Sequence, residues 1–180
     1  MKQVLFVQGG GEGAHDRWDH TLVENLERGL GPQYALMYPS MPNEADPNYA
    51  RWAAALRNAF AKLDDGAMLV GHSIGATILI NTFAEEAPRF RPGGVFLLAA
   101  PFVGEGGWPS DEIGDMSDIG MRLLRDLRVH LYHGERDEIA PISHLDLYAK
   151  AIPEASARRL AGRDHQLNND LSEVAADMLA

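Results

Sequence analysis

The stretch Met68-Leu69-Val70-Gly71-His72-Ser73-Ile74-Gly75 joins a short apolar run to a long apolar segment through a serine with glycines close on both sides. Its first three residues are typical of a strand buried on both faces, and Ile74–Glu86 has the length of a helix and is apolar nearly all round. Glycine lacks the Cβ atom that would collide where the chain reverses tightly. The stretch therefore predicts a strand, a sharp turn and a buried helix, with the Ser73 hydroxyl exposed at the turn.

The pattern G-x-S-x-G within this stretch makes Ser73 a candidate nucleophile. Serine is also a favoured N-cap residue, so helix capping is the alternative interpretation. A cap requires neither glycine at both of these positions nor an almost wholly apolar helix behind it. The pattern favours the nucleophile, and the N-terminus of the helix would place unpaired N–H groups and a partial positive charge beside the hydroxyl.

The rest of the chain repeats this alternation of buried strand and helix. Further runs typical of strands are Val4–Val7, Ala35–Tyr38, Val95–Ala100, Val129–Tyr132 and, more weakly, Ala157–Leu160. Other segments of helical length lie around Leu22–Leu30, Tyr49–Phe60, Ser143–Ala151 and Leu171–Leu179. The alternation predicts one doubly wound α/β domain over residues 1–180, with a mainly parallel sheet and helices on both faces. In such folds the working site lies beyond the carboxyl ends of the strands.

The composition limits the classes of partner and cofactor. The chain has 180 residues, 46% of them hydrophobic, and 16 Lys and Arg against 26 Asp and Glu, a formal charge of −10. We expect neither nucleic acid nor an anionic membrane as the main partner, because both attract cationic surfaces. Without cysteine or a strong metal-ligand spacing, we expect no thiolate nucleophile, no metal and no other cofactor. No signal-peptide core or membrane-length apolar run is present, which predicts a cytoplasmic protein.

A serine nucleophile needs a base that is itself oriented by a carboxylate, and in this fold the chain order is serine, acid, histidine. Asp137 lies on the loop that leaves the fifth strand and is the predicted acid, with Glu135 and Glu138 as local alternatives. His165 follows the last, weak strand and is the predicted base. His144, at the start of a helix, is the alternative base.

Charge that develops on a substrate oxygen needs preorganised donors. One predicted donor is the backbone N–H of Ile74, and the other comes from the glycine-rich loop Gln8–Gly13, with Gly10 preferred over Gly9 and Gly11. The predicted substrate-pocket residues are Gly9, Gly11, His15, Trp18, His72, Phe102 and Trp108.

The same glycine-rich loop also imitates a dinucleotide fingerprint, Gly9-x-Gly11-x-x-Ala14 after a first strand. The second strand, however, ends in Met37-Tyr38-Pro39, without the carboxylate that would bind a ribose. Glu12 and Asp16 would in addition repel a pyrophosphate. The sequence therefore argues against dinucleotide binding.

The constellation resembles the α/β-hydrolase superfamily. The matching motifs are the turn Gly71–Gly75, Asp137 in G-x-x-D with Pro141 following, and His165 after Gly162. The resemblance extends over the whole chain and implies the strand order 2-1-3-4-5-6, without two N-terminal strands that larger members have. Gln8 stands where many hydrolases carry a histidine before the oxyanion glycines.

Within that superfamily the chain is similar to the small serine hydrolases related to the retinoblastoma-binding serine hydrolase. The accessory matches are the glycine-rich first loop followed by Trp18, then Met41-Pro42-Asn43, and Trp52 in the next helix. The resemblance implies acyl transfer to water. Larger members insert a lid where this chain has only Phe102 to about Leu127, which predicts an open, partly apolar pocket for small esters, thioesters or amides. A non-catalytic protein-binding module on the same fold, with an unknown partner, is the alternative function.

Overall fold

The computed structural model describes residues 1–180, which form a single six-stranded sheet. The strands are β1 Lys2–Val7, β2 Tyr34–Met37, β3 Met68–His72, β4 Gly94–Leu98, β5 Val129–Gly134 and β6 Ser156–Leu160. Their order is β2-β1-β3-β4-β5-β6, and all five pairings are parallel. The predicted fold class and strand order are confirmed, and the sheet is wholly rather than mainly parallel.

Helices cover both faces of this sheet. They are α1 His20–Leu30, α2 Tyr49–Phe60, α3 Ile74–Glu85, α4 Ile119–Arg122, α5 Ser143–Ala151 and α6 Ser172–Leu179. A wide helical turn, Ala14–Asp19, leads into α1. None of the helices is long and apolar enough to cross a membrane.

Alternation along the strands separates two apolar cores. In β1, Leu5 and Val7 point into the core under α2, α3 and α5, whereas Val4 and Phe6 point into the core under α1 and α6. Successive side chains of a strand point to opposite faces of the sheet, so a strand that is covered on both faces contributes alternate residues to each core. The helix α3 lies in the larger of these cores and is buried at every position from Gly75 to Phe83, which accounts for its apolar sequence.

The long connection between β4 and β5 packs down on the protein rather than standing over the sheet as a lid. Strand β4 ends two residues earlier than predicted, at Leu98, because Ala99 adopts a left-handed φ of 47°. Beyond it, Met116 and Ile119 are fully buried in the larger core. The connection therefore leaves the carboxyl ends of the strands open.

Candidate active site

Ser73 occupies a strained turn between β3 and α3. Its φ of 53° and ψ of −133° lie in a region that non-glycine residues rarely adopt, and its N–H continues the sheet by donating to the Leu98 carbonyl at 2.8 Å. A Cβ atom at Gly71 would lie 2.6 Å from Ala76 Cα, and one at Gly75 would overlap the Gln8 carbonyl oxygen. The Ser73 hydroxyl does not cap α3, so the capping interpretation is wrong.

The structure brings Ser73, His165 and Asp137 into one chain of hydrogen bonds. His165 Nε2 lies 2.8 Å from Ser73 Oγ, and His165 Nδ1 lies 2.7 Å from Asp137 Oδ2. The three side chains come from the ends of β3, β6 and β5, at the carboxyl edge of the sheet. An ionised carboxylate only accepts hydrogen bonds, so Nδ1 carries the proton of the neutral imidazole and Nε2 is free to accept from the serine hydroxyl.

Asp137 is held as an ionised acceptor. Its Oδ1 accepts from the backbone N–H groups of Ile139 and Ala140 at 2.8 and 2.9 Å. His133 Nε2 lies 3.2 Å from Oδ2 and donates to the Ala140 carbonyl at 2.7 Å. Burial opposes ionisation, but the hydrogen bonds from His133, His165 and Ala140 outweigh it, so the pKa of Asp137 lies well below its usual range.

The alternative acid and base residues have other surroundings. Glu135 and Glu138 are solvent-exposed. The His144 ring is buried, and its Nδ1 accepts from the Phe102 N–H at 2.7 Å, while burial lowers its pKa. That nitrogen is therefore committed to a backbone contact, away from the Ser73–His165 hydrogen bond.

Two of the three loop glycines already donate their backbone N–H groups. Gly9 N–H donates to Asp19 Oδ2 at 2.6 Å, and Gly11 N–H donates to the Glu44 carbonyl at 2.7 Å. The Gly10 N–H makes no hydrogen bond within the protein. Ile74 is the first residue of α3, where the N–H has no acceptor in the helix, and its Cγ2 would lie 3.0 Å from a Cβ at Gly10. Gly10 and Ile74 therefore offer two neighbouring unpaired donors.

A buried glutamine supports this loop from behind. Gln8 is fully buried, donates through Nε2 to Glu44 Oε2 at 2.7 Å and accepts the Met41 N–H through Oε1 at 2.8 Å. Glu44 also accepts from the N–H groups of His15 and Gly13 at 2.9 and 2.7 Å, and these bonds hold its pKa below the usual range. Glu44 was not predicted from the sequence, because an acidic residue in a loop is usually solvated.

A cavity of about 770 Å³ opens in front of Ser73 and His165. Of the predicted residues, it is lined by Gly9, Gly10, Trp18, His72, Ser73 and His165. Three of its fifteen lining residues are hydrophobic, namely Ala14, Trp18 and Ile139, and three more are glycines, so the lining is partly apolar, as predicted. Lining residues that the sequence analysis did not propose are Ala14, Asp19, Arg136, Glu138, Ile139, Gly162, Asp164, Gln166 and Asn168.

Four predicted pocket residues do not line this cavity. Gly11 donates its N–H to the Glu44 carbonyl at 2.7 Å, and the His15 ring stacks on Tyr38 with 4.1 Å between centroids. Phe102 is buried edge-on against Tyr148 of α5 at 5.3 Å, and Trp108 lies against His144, with 5.8 Å between centroids. The last two belong to the β4–β5 connection, which packs toward α5 rather than over the nucleophile.

No group of three or more His, Asp and Glu side chains is arranged to hold a metal ion.

Comparison with known proteins identifies a family and a fold. A family model described as serine hydrolase matches residues 5–161. The ydeN gene product from B. subtilis superposes with a TM-score of 0.76 at 19% identity over 99% of both chains. A serine hydrolase involved in carbazole degradation superposes with a TM-score of 0.75 at 12% identity, over 99% of this chain and 91% of the other. An esterase domain from Rhodothermus marinus superposes with a TM-score of 0.66 at 22% identity, over 98% of this chain and 82% of the other. None of the proteins with curated functions matches the sequence significantly.

Proposed function

We propose that this chain, which belongs to the serine hydrolase family, hydrolyses small carboxylic esters, or the related thioesters and amides, through an acyl-enzyme on Ser73. The observation that carries the proposal is the pair of hydrogen bonds from Asp137 through His165 to Ser73 Oγ, at 2.7 and 2.8 Å. A hydroxyl becomes a good nucleophile near neutral pH when a positioned base removes its proton, and these bonds supply that base.

In the acylation step Ser73 Oγ attacks the substrate carbonyl carbon while its proton passes to His165 Nε2. Asp137 keeps the imidazole oriented and stabilises the imidazolium that forms. His165 then donates the proton to the leaving group as the bond between the acyl carbon and the leaving group breaks. Water enters next, gives a proton to Nε2 and attacks the acyl carbon. His165 then returns this proton to Ser73 Oγ as the bond between Oγ and the acyl carbon breaks, which releases the acid and restores Ser73.

The carbonyl oxygen becomes an oxyanion in both steps. We assign its stabilisation to the backbone N–H groups of Gly10 and Ile74, because neither has a partner within the protein. Gly9 and Gly11 are unsuited to this role, since their N–H groups are held by Asp19 and Glu44. A single oxyanion donor typically contributes about 100- to 1000-fold to kcat.

The pocket supports a small substrate. Its volume of about 770 Å³ is ordinary for a small-molecule site, and its lining combines polar side chains with a few apolar ones. Trp18 and Ile139 are 59% and 57% exposed and both line the pocket, so a short acyl or alkyl group has an apolar contact on each of them. The esterase domain that shares the fold also supports ester chemistry.

The test is an ester series with one leaving group and increasing acyl length. We expect turnover of p-nitrophenyl acetate and butyrate to exceed that of the octanoate, because Trp18 and Ile139 are the only large apolar side chains that line the pocket. The Ser73→Ala variant should lose about 10⁶-fold in kcat, the scale found for triad serines. Retention of most activity in that variant, or no turnover of any member by the folded wild type, would refute the proposal.

A further inference from the structure

A second Asp–His pair lies buried directly behind the proposed triad. Asp19, the last residue of the turn that leads into α1, is 1% exposed, and His72, the last residue of β3, is 2% exposed. Asp19 Oδ2 lies 2.9 Å from His72 Nδ1. Neither side chain takes part in the hydrolysis scheme above, although His72 precedes the nucleophile and both line its pocket.

Asp19 joins two loops of the site. Its Oδ2 accepts from the Gly9 N–H at 2.6 Å, on the glycine-rich loop that carries Gly10. Its Oδ1 accepts from Gln166 Nε2 at 3.1 Å, and Gln166 directly follows the proposed base. One carboxylate therefore fixes the loop of the oxyanion donor and the loop of the base relative to each other.

The second ring nitrogen of His72 holds the base itself. His72 Nε2 lies 2.9 Å from the backbone carbonyl oxygen of His165, and the two rings are in contact with centroids 5.1 Å apart. A carbonyl oxygen only accepts, so Nε2 carries a proton. Asp19 accepts from Gly9 and Gln166 as a carboxylate does, so Nδ1 carries a proton as well. An acceptor therefore faces each ring nitrogen, an arrangement that favours an imidazolium.

The charges around this ring agree with that state. The charged or titratable groups that face His72 are Asp19, Asp137 and His165. Burial opposes the charge on His72, but the Asp19 carboxylate outweighs it and raises the pKa of His72 above its usual value. Burial likewise opposes the charge on Asp19, but His72 outweighs it and lowers the pKa of Asp19.

We propose that Asp19 and His72 form a buried carboxylate–imidazolium pair that positions the His165 backbone and the oxyanion loop, a role that rests on the hydrolysis proposed above. The loop after His165 needs such support, because Leu167, Asn168 and Asn169 all adopt left-handed φ angles of 52–54°. Conformations of this kind persist only where the surroundings hold them. Misplacing a catalytic group by about 1 Å can cost about 100-fold in rate.

The charge state is tested without any assay of activity. In a histidine ring nitrogen NMR spectrum at pH 6.5, where a free histidine is half protonated, we expect wild-type His72 to show both nitrogens protonated, with its signals assigned by their loss in His72→Gln. In Asp19→Asn the ring should become neutral. A His72 that is already neutral at pH 6.5 in the wild-type protein would overturn the ion pair.

The positioning role is tested by kinetics per active site. After titration of functional serines with a fluorophosphonate, Asp19→Asn should lower kcat by about 10- to 100-fold while KM stays within about twofold. The matched control is Asp16→Asn, because Asp16 lies on the same turn but its side chain is 88% exposed, and this variant should behave as wild type.

If kcat per labelled serine is the same in Asp19→Asn and in wild type, the proposed positioning role is wrong. A substitution that only destabilises the fold lowers the number of serines that can be labelled and leaves kcat per labelled serine unchanged. If Asp19→Asn does not fold, His72→Gln provides the same comparison. These experiments also distinguish failure of the proposed function from failure of the positioning role. If the proposed function is wrong, wild-type protein takes up no fluorophosphonate label, but the NMR measurement still reports the charge state of the Asp19–His72 pair.

Discussion

At the scale of single residues, the site depends on backbone conformation as much as on side-chain chemistry. Ser73 holds φ at 53° and ψ at −133°, a region where side chains with a Cβ are strained by about 1–3 kcal/mol. That strain turns Oγ toward His165 instead of the helix N-terminus, which a capping serine would face. The strain at this residue thus lowers the stability of the fold and places the nucleophile at the pocket.

This strain predicts an unusual stability difference. Ser73→Ala and Ser73→Gly both remove the hydroxyl, but only glycine adopts the observed φ and ψ without strain. In urea unfolding we expect Ser73→Gly to be more stable than Ser73→Ala by about 1 kcal/mol. Equal stability of the two variants would show that the turn is unstrained.

Trp18 has a different role, which a comparison of two esters can isolate. Its ring is 59% exposed and lines the pocket, so Trp18→Ala should remove apolar contact with the acyl chain. We expect kcat/KM for the butyrate ester to fall about 10-fold and that for the acetate to stay within about twofold. Met121→Ala is the control, since Met121 is 89% exposed and does not line this pocket. Equal losses on both esters would argue against a contact of Trp18 with the acyl chain.

At the scale of elements, the turn between β3 and α3 holds the loop after β1 against the start of the helix. A Cβ at position 75 would overlap the Gln8 carbonyl oxygen, so α3 approaches that loop as closely as backbone atoms allow. This approach brings Gly10 against Ile74, the two residues whose unpaired N–H groups we assign to the oxyanion. The proposed oxyanion site thus depends on the contact between these elements and on the side chains of Gln8 and Asp19 that hold the loop.

The close approach predicts different effects at two glycines. Gly75→Ala should destabilise the protein by about 1–3 kcal/mol or more and lower kcat, because a backbone oxygen must move. Gly114→Ala should change stability by less than about 0.5 kcal/mol, since nothing lies within 4 Å of its Cβ position. Thermal unfolding of the two variants measures this, and a Gly75→Ala protein as stable as Gly114→Ala would contradict the described packing.

Much of this arrangement was predictable from sequence, because chain order and strand ends constrain it. Ser73, Asp137 and His165 each follow a strand, and parallel strands bring such residues to one edge. Asp19 was not predicted, because burial of a carboxylate depends on partners distant in sequence, Gly9, His72 and Gln166.

The pocket predictions at Phe102 and Trp108 failed for a related reason. An apolar residue on a long loop can pack on either side of the strand ends, and its position in the sequence does not indicate which. Here the β4–β5 connection packs toward α5, where it contacts Tyr148 and His144.

At the scale of the whole molecule, the buried Asp19–His72 pair makes stability depend on pH in a defined window. The pKa of Asp19 is lowered from 3.8, so its contribution is present above that value and is lost as the pH falls through the folded pKa. The pKa of His72 is raised from 6.5, so its contribution is complete below 6.5 and is lost as the pH rises through the folded pKa. The pair therefore stabilises the fold most between these two values.

Urea unfolding of wild type and His72→Gln across pH measures this window. We expect the gap in unfolding free energy to be widest between pH 3.8 and 6.5 and to narrow as the pH rises from 6.5 through the folded pKa of His72. A gap that is constant with pH, or that widens steadily above pH 7, would contradict the ion pair.

The central claim, that Ser73 is a working nucleophile, is tested most directly by a fluorophosphonate probe with intact-mass analysis and peptide mapping. The predicted result is one adduct per chain, on Ser73, formed by wild type and absent from Ser73→Ala. If folded wild-type protein takes up no probe, the claim is contradicted and a non-catalytic binding module is favoured. An adduct on a residue other than Ser73 would also contradict the claim.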